Sequence, residues 1–275
     1  IPNYLESKFD AQIEKVTNDT YLKVFQNNLF NTPVMPGSQT TMNSNLKLYL
    51  DKEEQNLTTG ISVYENLGQK NSDRYQYTLP YYNFSKNITS LISNKLINGS
   101  LNFSSSGNNS LKNTNNLRST IQNDLSYNSP SYISSLGFKN DFSIYLKNSN
   151  AIGKNDTIYT SSPQIDGMST FKIDTSLPLI KSKNNIKETL TPRISFRANP
   201  GNNMNDYSGS SSTINVDNVF DLNRLGLTDD FEAGRSLTFG LNYKFDELEI
   251  KQSDGIKDKY LEVQIATVVR DQDEP

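Results

Sequence analysis

An all-β fold, and within it an antiparallel transmembrane β-barrel, is the architecture predicted by three features of this 275-residue sequence. Apolar and polar residues alternate with period two along much of the chain, the spacing that puts successive side chains on opposite faces of a strand. Only 34% of residues are apolar, yet there are 15 Tyr and 13 Phe. That is thin for the core of a soluble domain of this length and too aromatic for a disordered chain. A membrane barrel reconciles the two, because its lipid face needs only alternate residues apolar and its interior is wet. The third feature is the connectors, some very short and some long and polar, as membrane barrels have. A soluble β-sandwich also mixes connector lengths and stays open as the alternative.

The candidate strands fall at 9–16, 20–26, 46–52, 60–66, 74–82, 86–92, 95–104, 117–127, 136–146, 170–179, 193–198, 236–245 and 260–269. The clearest is 236–245, where Leu237, Phe239, Leu241, Tyr243 and Phe245 share one face and Ser236, Thr238, Gly240, Asn242 and Lys244 the other. In 193–198, Ile194, Phe196 and Ala198 oppose Arg193, Ser195 and Arg197. In 260–269, Leu261, Val263, Ile265 and Val269 oppose Glu262 and Gln264. The spacing implies on the order of 12–14 strands, of about the length a tilted transmembrane strand needs. Asn18-Asp19 reads as a short turn, and 32–45, 105–116, 147–168, 199–213 and 246–258 as long polar loops. The stretch 217–227 has mixed apolar spacing and reads as strand or irregular structure.

Composition removes many functions. With no His and no Cys there is no Ser-His-Asp triad, no thiol nucleophile and no ordinary zinc site. Net charge is −3 with dispersed Lys and Arg, so no basic field attracts nucleic acid. No cofactor motif is present. The acidic pairs Asp229-Asp230, Glu53-Glu54 and Asp271/Asp273 read as solvated turns. No run of 18 apolar residues marks a transmembrane helix.

Ordered motifs carry a family resemblance. A strand ends in Leu-Pro-Leu at 177–179, and TLTPRISFRANPG follows at 189–201. Next comes INVDNVFDLNRLGLTDDFEAGRSLTFGLNYKF at 214–245, then VQIATVVRDQDEP at 263–275. Near the start, FDAQIEKVTNDTYLKVF at 9–25 has a strand, turn, strand pattern. Together these resemble the barrel of the LPS-assembly LptD family, strongly at 189–245 and loosely from 30 to 165. Asp229 is offset from the acidic position of the family pattern.

The resemblance implies a segment from the middle of a larger barrel, with a periplasmic jellyroll domain and the closing strands outside residues 1–275. It implies a protein of the Gram-negative outer membrane that takes lipopolysaccharide from an LptA-like bridge and delivers it to the outer leaflet. An LptE-like plug lipoprotein and outer-membrane lipid are the further partners it implies. The residues it singles out are Pro192, Arg193, Arg197, Asn223, Arg224, Gly226 and Asp229. Arg224 is expected to pair with Asp229 or Asp230 inside the lumen, and Gly226 to permit a kink or a close strand approach. Interior packing and loop anchoring weigh more for these residues than lipid contact. Inward Lys and Arg could still meet lipid phosphates. A passive porin or receptor barrel, and a secreted β-rich adhesin or glycan-binding module, stay open as alternatives. In the adhesin, the outward Phe, Leu and Tyr would pack into a core.

Overall fold

A computed structural model describes residues 4–25, 38–88, 99–200, 213–226, 231–251 and 255–271. Thirteen strands among these residues form one antiparallel sheet. The first six are β1 (Glu6–Gln12), β2 (Thr41–Lys52), β3 (Gln55–Asn66), β4 (Tyr75–Asn87), β5 (Ser100–Lys112) and β6 (Asn116–Asn128). After the short β7 (Tyr132–Ile133) come β8 (Lys139–Lys154), β9 (Gln164–Ser176), β10 (Leu179–Lys183), β11 (Ile186–Asn199), β12 (Gly234–Lys251) and β13 (Gly255–Arg270). The order runs from β1 to β13, with β7 and β10 attached to β8 and β11. No pairing of β1 with β13 closes the sheet among the described residues. No described helix is long and apolar enough to cross a membrane.

Three expectations change. Residues 21–24 are a short helix, α1 (Tyr21–Val24), and not part of a strand. The hairpin expected at 9–25 does not form, and β1 pairs with β2 instead, Phe9 opposite Leu48. Asn18 begins this turn as a local brace, its side-chain oxygen accepting from the Thr20 backbone N–H at 2.9 Å. The third change concerns the polar loops, several of which are largely strand. β5 continues through 105–112, β8 and β9 take up 147–154 and 164–168, and β12 and β13 approach each other across 252–254. Polar composition does not interrupt a ladder made of backbone bonds. Prolines do. Pro80 lies where the β4–β5 register shifts between Thr78 and Tyr81, because it has no N–H to donate. Pro178 separates β9 from β10, within the expected strand 170–179.

The chain forms two compact units. The first comprises Ile1–Ile88, Asn102–Leu125 and Lys147–Asp166. Its β2–β3 hairpin turns at Glu53-Glu54, the solvated turn expected of that acidic pair, with Lys52 opposite Gln55. Met42, Leu22 and Leu67 make a small apolar cluster under α1. On one face an uncharged chain links four strands: Tyr82 Oη to Ser105 Oγ at 3.1 Å, Ser105 to Asn123 at 2.8 Å, and Asn123 to Asn148 at 3.2 Å. Arg74 ties the turn before α1 to the β3–β4 connector, with bonds to Asp19 at 2.8 and 2.9 Å and to Glu65 at 2.7 Å. The Arg74 hydrogen bond holds the Asp19 carboxyl below its usual value. Arg118 grips Asp156 at 2.8 and 3.1 Å, and Asp156 also accepts from the backbone N–H of Ile158 and Tyr159. These bonds, the Arg118 one foremost, pull the Asp156 pKa down to about 2.

The second unit comprises Thr89–Leu101, Ser126–Leu146 and Gly167–Pro275. Its faces are reversed relative to a soluble protein. Thr170, Asp174, Ser195, Arg197, Ser236 and Thr238 are buried. Their neighbours along the strands, Ile173, Ile194, Phe196, Phe239, Leu241 and Ile265, are exposed. The split expected for 236–245 and 193–198 is the one observed. The adhesin expectation fails here, since the outward Phe and Leu do not pack into a core.

Candidate functional site: a strap clasped to the polar face of the second unit

The polar face of β9, β11, β12 and β13 carries a segment, 213–226 and 231–233, that lies against it; we call it the strap. Its first turn is held by its own asparagines. Asn215 Oδ1 accepts from the N–H of Asp217 and Asn218, and Asn218 Oδ1 accepts from the N–H of Asn215. The stretch expected to be strand or irregular is thus a series of turns, because side-chain amides substitute for a ladder. Apolar side chains then anchor it. Val219, Phe220 and Phe231 are buried, and Phe231 packs on Met168 and stacks on Tyr145 at 4.8 Å.

Phe220 needs a hole in the wall, and Gly240 supplies it. A Cβ at Gly240 would lie 2.6 Å from the Phe220 ring. Arg193 lies over the ring, its guanidinium 4.1 Å from the centroid. The close approach expected at Gly226 therefore belongs to Gly240. Gly226 serves the strap as a left-handed residue, φ 64°, its N–H directed at the Asn223 carbonyl at 3.4 Å.

The wall side chains donate to strap carbonyls. Lys172 Nζ donates to Phe220 O at 2.8 Å, and Arg197 Nε to Leu222 O at 2.9 Å. Asn199 Nδ2 donates to Phe231 O and Glu232 O at 3.3 and 3.1 Å. Arg270 Nη2 donates to Ala233 O at 3.2 Å. A segment lifted off a sheet has orphan carbonyls, and these donors satisfy them.

The centre of the clasp is a buried ion cluster. Arg224 and Glu232, both 1% exposed, are joined at 2.7 Å. Arg270 reaches the other Glu232 oxygen at 2.9 Å, and Arg224 Nη2 donates to Ser236 Oγ at 3.2 Å. Among the described residues Glu232 is the acidic partner of Arg224; Asp229 and Asp230, the partners expected from the sequence, lie outside the described residues. Arg193 is likewise committed, gripping Asp174 with bonds of 2.7 to 3.1 Å. Just past β13, Asp271 accepts from the Arg235 backbone N–H at 2.6 Å and its guanidinium at 2.8 Å, which lowers its pKa.

Pro192 has a different role. It sits inside β11, opposite Leu241 of β12. Its carbonyl accepts from Leu177 N–H at 3.0 Å, the residue just before Pro178. Pro192 has no N–H to return that bond, so the β9–β11 ladder ends here, next to Pro178.

Sequence reasoning missed Lys172, Asn199, Phe220, Glu232, Gly240 and Arg270. Only Gly240 carried a legible signal, as the one residue without a side chain in the polar row 236–244. Among the described residues no group of three or more Asp or Glu could hold a metal ion.

An open antiparallel sheet with a buried charged face and an exposed apolar face defines a membrane β-barrel wall, here with an inward strap. The chain matches the family model "LptD: LPS transport system D" over residues 4–268, and it belongs to that family. The family is an outer-membrane one that acts in lipopolysaccharide transport and assembly. No curated protein matches the chain.

Proposed function

We propose that residues 1–275 are the central part of an LptD barrel domain in the outer membrane of a Gram-negative bacterium. A periplasmic jellyroll domain precedes this part and closing strands follow it. The whole protein receives lipopolysaccharide from an LptA-like periplasmic bridge, hydrates its sugar head in the lumen and releases its acyl chains sideways into the outer leaflet. An LptE-like lipoprotein is its partner. No step is catalysed by this chain.

The observation that carries the reading is the reversal of faces. A charged, hydrogen-bonded interior suits a sugar-phosphate head, and an exposed Phe, Leu and Ile face suits lipid. Among the described residues the outer edges of β1 and β13 are unpaired, which supports further strands, because lipid cannot satisfy open backbone groups. The committed arginines narrow the mechanism. Arg193, Arg197 and Arg224 hold Asp174 and the strap, so they shape the lumen instead of meeting lipid phosphates. Depletion of the full-length protein in its host is the test. Lipopolysaccharide at the cell surface should fall, and normal surface delivery would sink the proposal.

A further inference from the structure

The first unit carries polar side chains on the face where lipid is expected. Leu48, Thr59, Tyr82 and Gly107 stand in one row across β2 to β5, and Leu50, Leu57, Phe84 and Ser105 in the next, so these positions share a face. Hydrogen bonds carry that face across β6 and β8, since Ser105 donates to Asn123, Ser119 to Asn109 and Asn123 to Asn148. Alternation places Ile121 and Ile152 beside them, 46% and 37% exposed. The uncharged chain from Tyr82 to Asn148 thus crosses the outward face.

Beside that chain a groove of about 290 Å³ opens on the same face. Tyr82, Ile121, Ile152 and Ile165 give it apolar walls, and Asn109 and Asn150 stand at its rim. Gly107 leaves room for the Tyr82 wall, because a Cβ there would lie 2.2 Å from the ring. None of the lining residues is charged. The volume is at the small end for ligand pockets, enough for a chain and not for a headgroup. The rim amides are half spent. Asn109 Oδ1 accepts from Ser119 Oγ, and Asn150 Nδ2 donates to Asn148 Oδ1 at 2.6 Å. Asn109 Nδ2 and Asn150 Oδ1 carry no hydrogen bond among the described residues, and neither atom is buried, so both are open to a ligand.

Hydrogen bonding decides the ligand class. A donor and an acceptor facing lipid cost free energy until each finds a partner. A bare hydrocarbon chain supplies neither. A glycerol ester supplies acceptors alone and leaves Asn150 Oδ1 unmet, whereas an amide brings a carbonyl for Asn109 Nδ2 and an N–H for Asn150 Oδ1. A phosphate head finds no cation among the lining residues. We infer that this groove seats one amide-linked acyl chain of a lipid resident on the outer wall, the linkage carried by the N-acylated sugars of lipopolysaccharide, and not an ester-linked phospholipid chain. The inference rests on the reading above that the apolar face meets lipid.

The test uses the delipidated full-length protein in detergent, with bound lipids counted by native mass spectrometry. One probe is lipid A, whose sugars carry amide-linked chains, and the other is phosphatidylethanolamine, whose chains are ester-linked. Ser119→Phe fills the groove from β6 and should remove one lipid A from the wild-type count. Asn150→Leu should weaken that one lipid A about tenfold, the effect of one hydrogen bond lost in a dry site. It decides the matter if Ser119→Phe does not fold. Neither variant should change phosphatidylethanolamine binding. Wild-type lipid A binding in the folded variants, an equal loss of phosphatidylethanolamine, or a second copy of the protein held at the groove in place of lipid overturns the assignment. Normal surface lipopolysaccharide after depletion, with the lipid A losses as expected, would overturn the transport reading and leave the groove standing.

Discussion

The two units tie their connectors down with the same chemistry at different depths. In the first, Arg74 joins Asp19 and Glu65 with 22% of its side chain exposed and Asp19 47% exposed. In the second, Arg224 and Glu232 are joined at a similar distance with 1% exposed. Water competes for the first pair and salt screens it, so its geometry is good and its contribution small. The second pair has lost its water, so each charge depends on the other. Arginines of the same type therefore decorate one connector and determine the position of the other.

Removing Glu232 is the sharpest way to break this comparison. Glu232→Ala leaves Arg224 and Arg270 facing each other in a dry site and should cost roughly 3–5 kcal/mol. The melting temperature of the full-length protein in detergent reads it. Arg224→Met should cost less, because Arg270 still neutralises Glu232. An Arg224→Met loss equal to that of Glu232→Ala would show that Arg270 shares no charge with the cluster. Gly240→Ala comes next. The new Cβ must displace the Phe220 ring, an overpacking cost of about 1–3 kcal/mol. Combining it with Phe220→Ala should restore part of the loss, and strictly additive losses would place the conflict elsewhere.

Smaller still is the pH dependence of the Arg118–Asp156 tie. The folded Asp156 pKa is lowered to about 2 from an ordinary 3.8, mainly by Arg118. Its contribution is therefore complete above pH 3.8 and lost as pH falls toward 2. The melting-temperature gap between wild type and Asp156→Asn should shrink over that interval and stay constant above it. A gap that persists unchanged at pH 2 would rule the linkage out. The smallest effect belongs to Arg74→Met, whose melting shift should vanish in molar salt. A shift as large as that of Glu232→Ala would erase the distinction between exposed and buried ties.

Much of this was legible along the chain. Period-two alternation located the strands at 236–245, 193–198 and 260–269 and assigned their faces, because side-chain direction in a strand is set by local geometry alone. Strand ends were less legible. Ser105, Asn123 and Asn148 read as loop-like or polar residues, yet they bond one another across a ladder that polar side chains do not disturb. Of the candidate site residues, Arg193, Arg197 and Arg224 were found by type but not by partner. Their partners are Asp174, brought in by the pairing of β9 with β11, and the Leu222 carbonyl and Glu232, which the strap supplies.

The sequence by itself determined the class of fold, the two faces of each long strand and the family, since all three are written in local periodicity and in contiguous motifs. Tertiary structure alone decided that 213–226 and 231–233 turn back onto the polar face, that Gly240 rather than Gly226 receives a neighbour, and that a cleft opens beside Phe220. The physical reason is range: alternation is a property of neighbouring residues, whereas desolvating Glu232 between Arg224 and Arg270 needs three separate stretches of chain in one place.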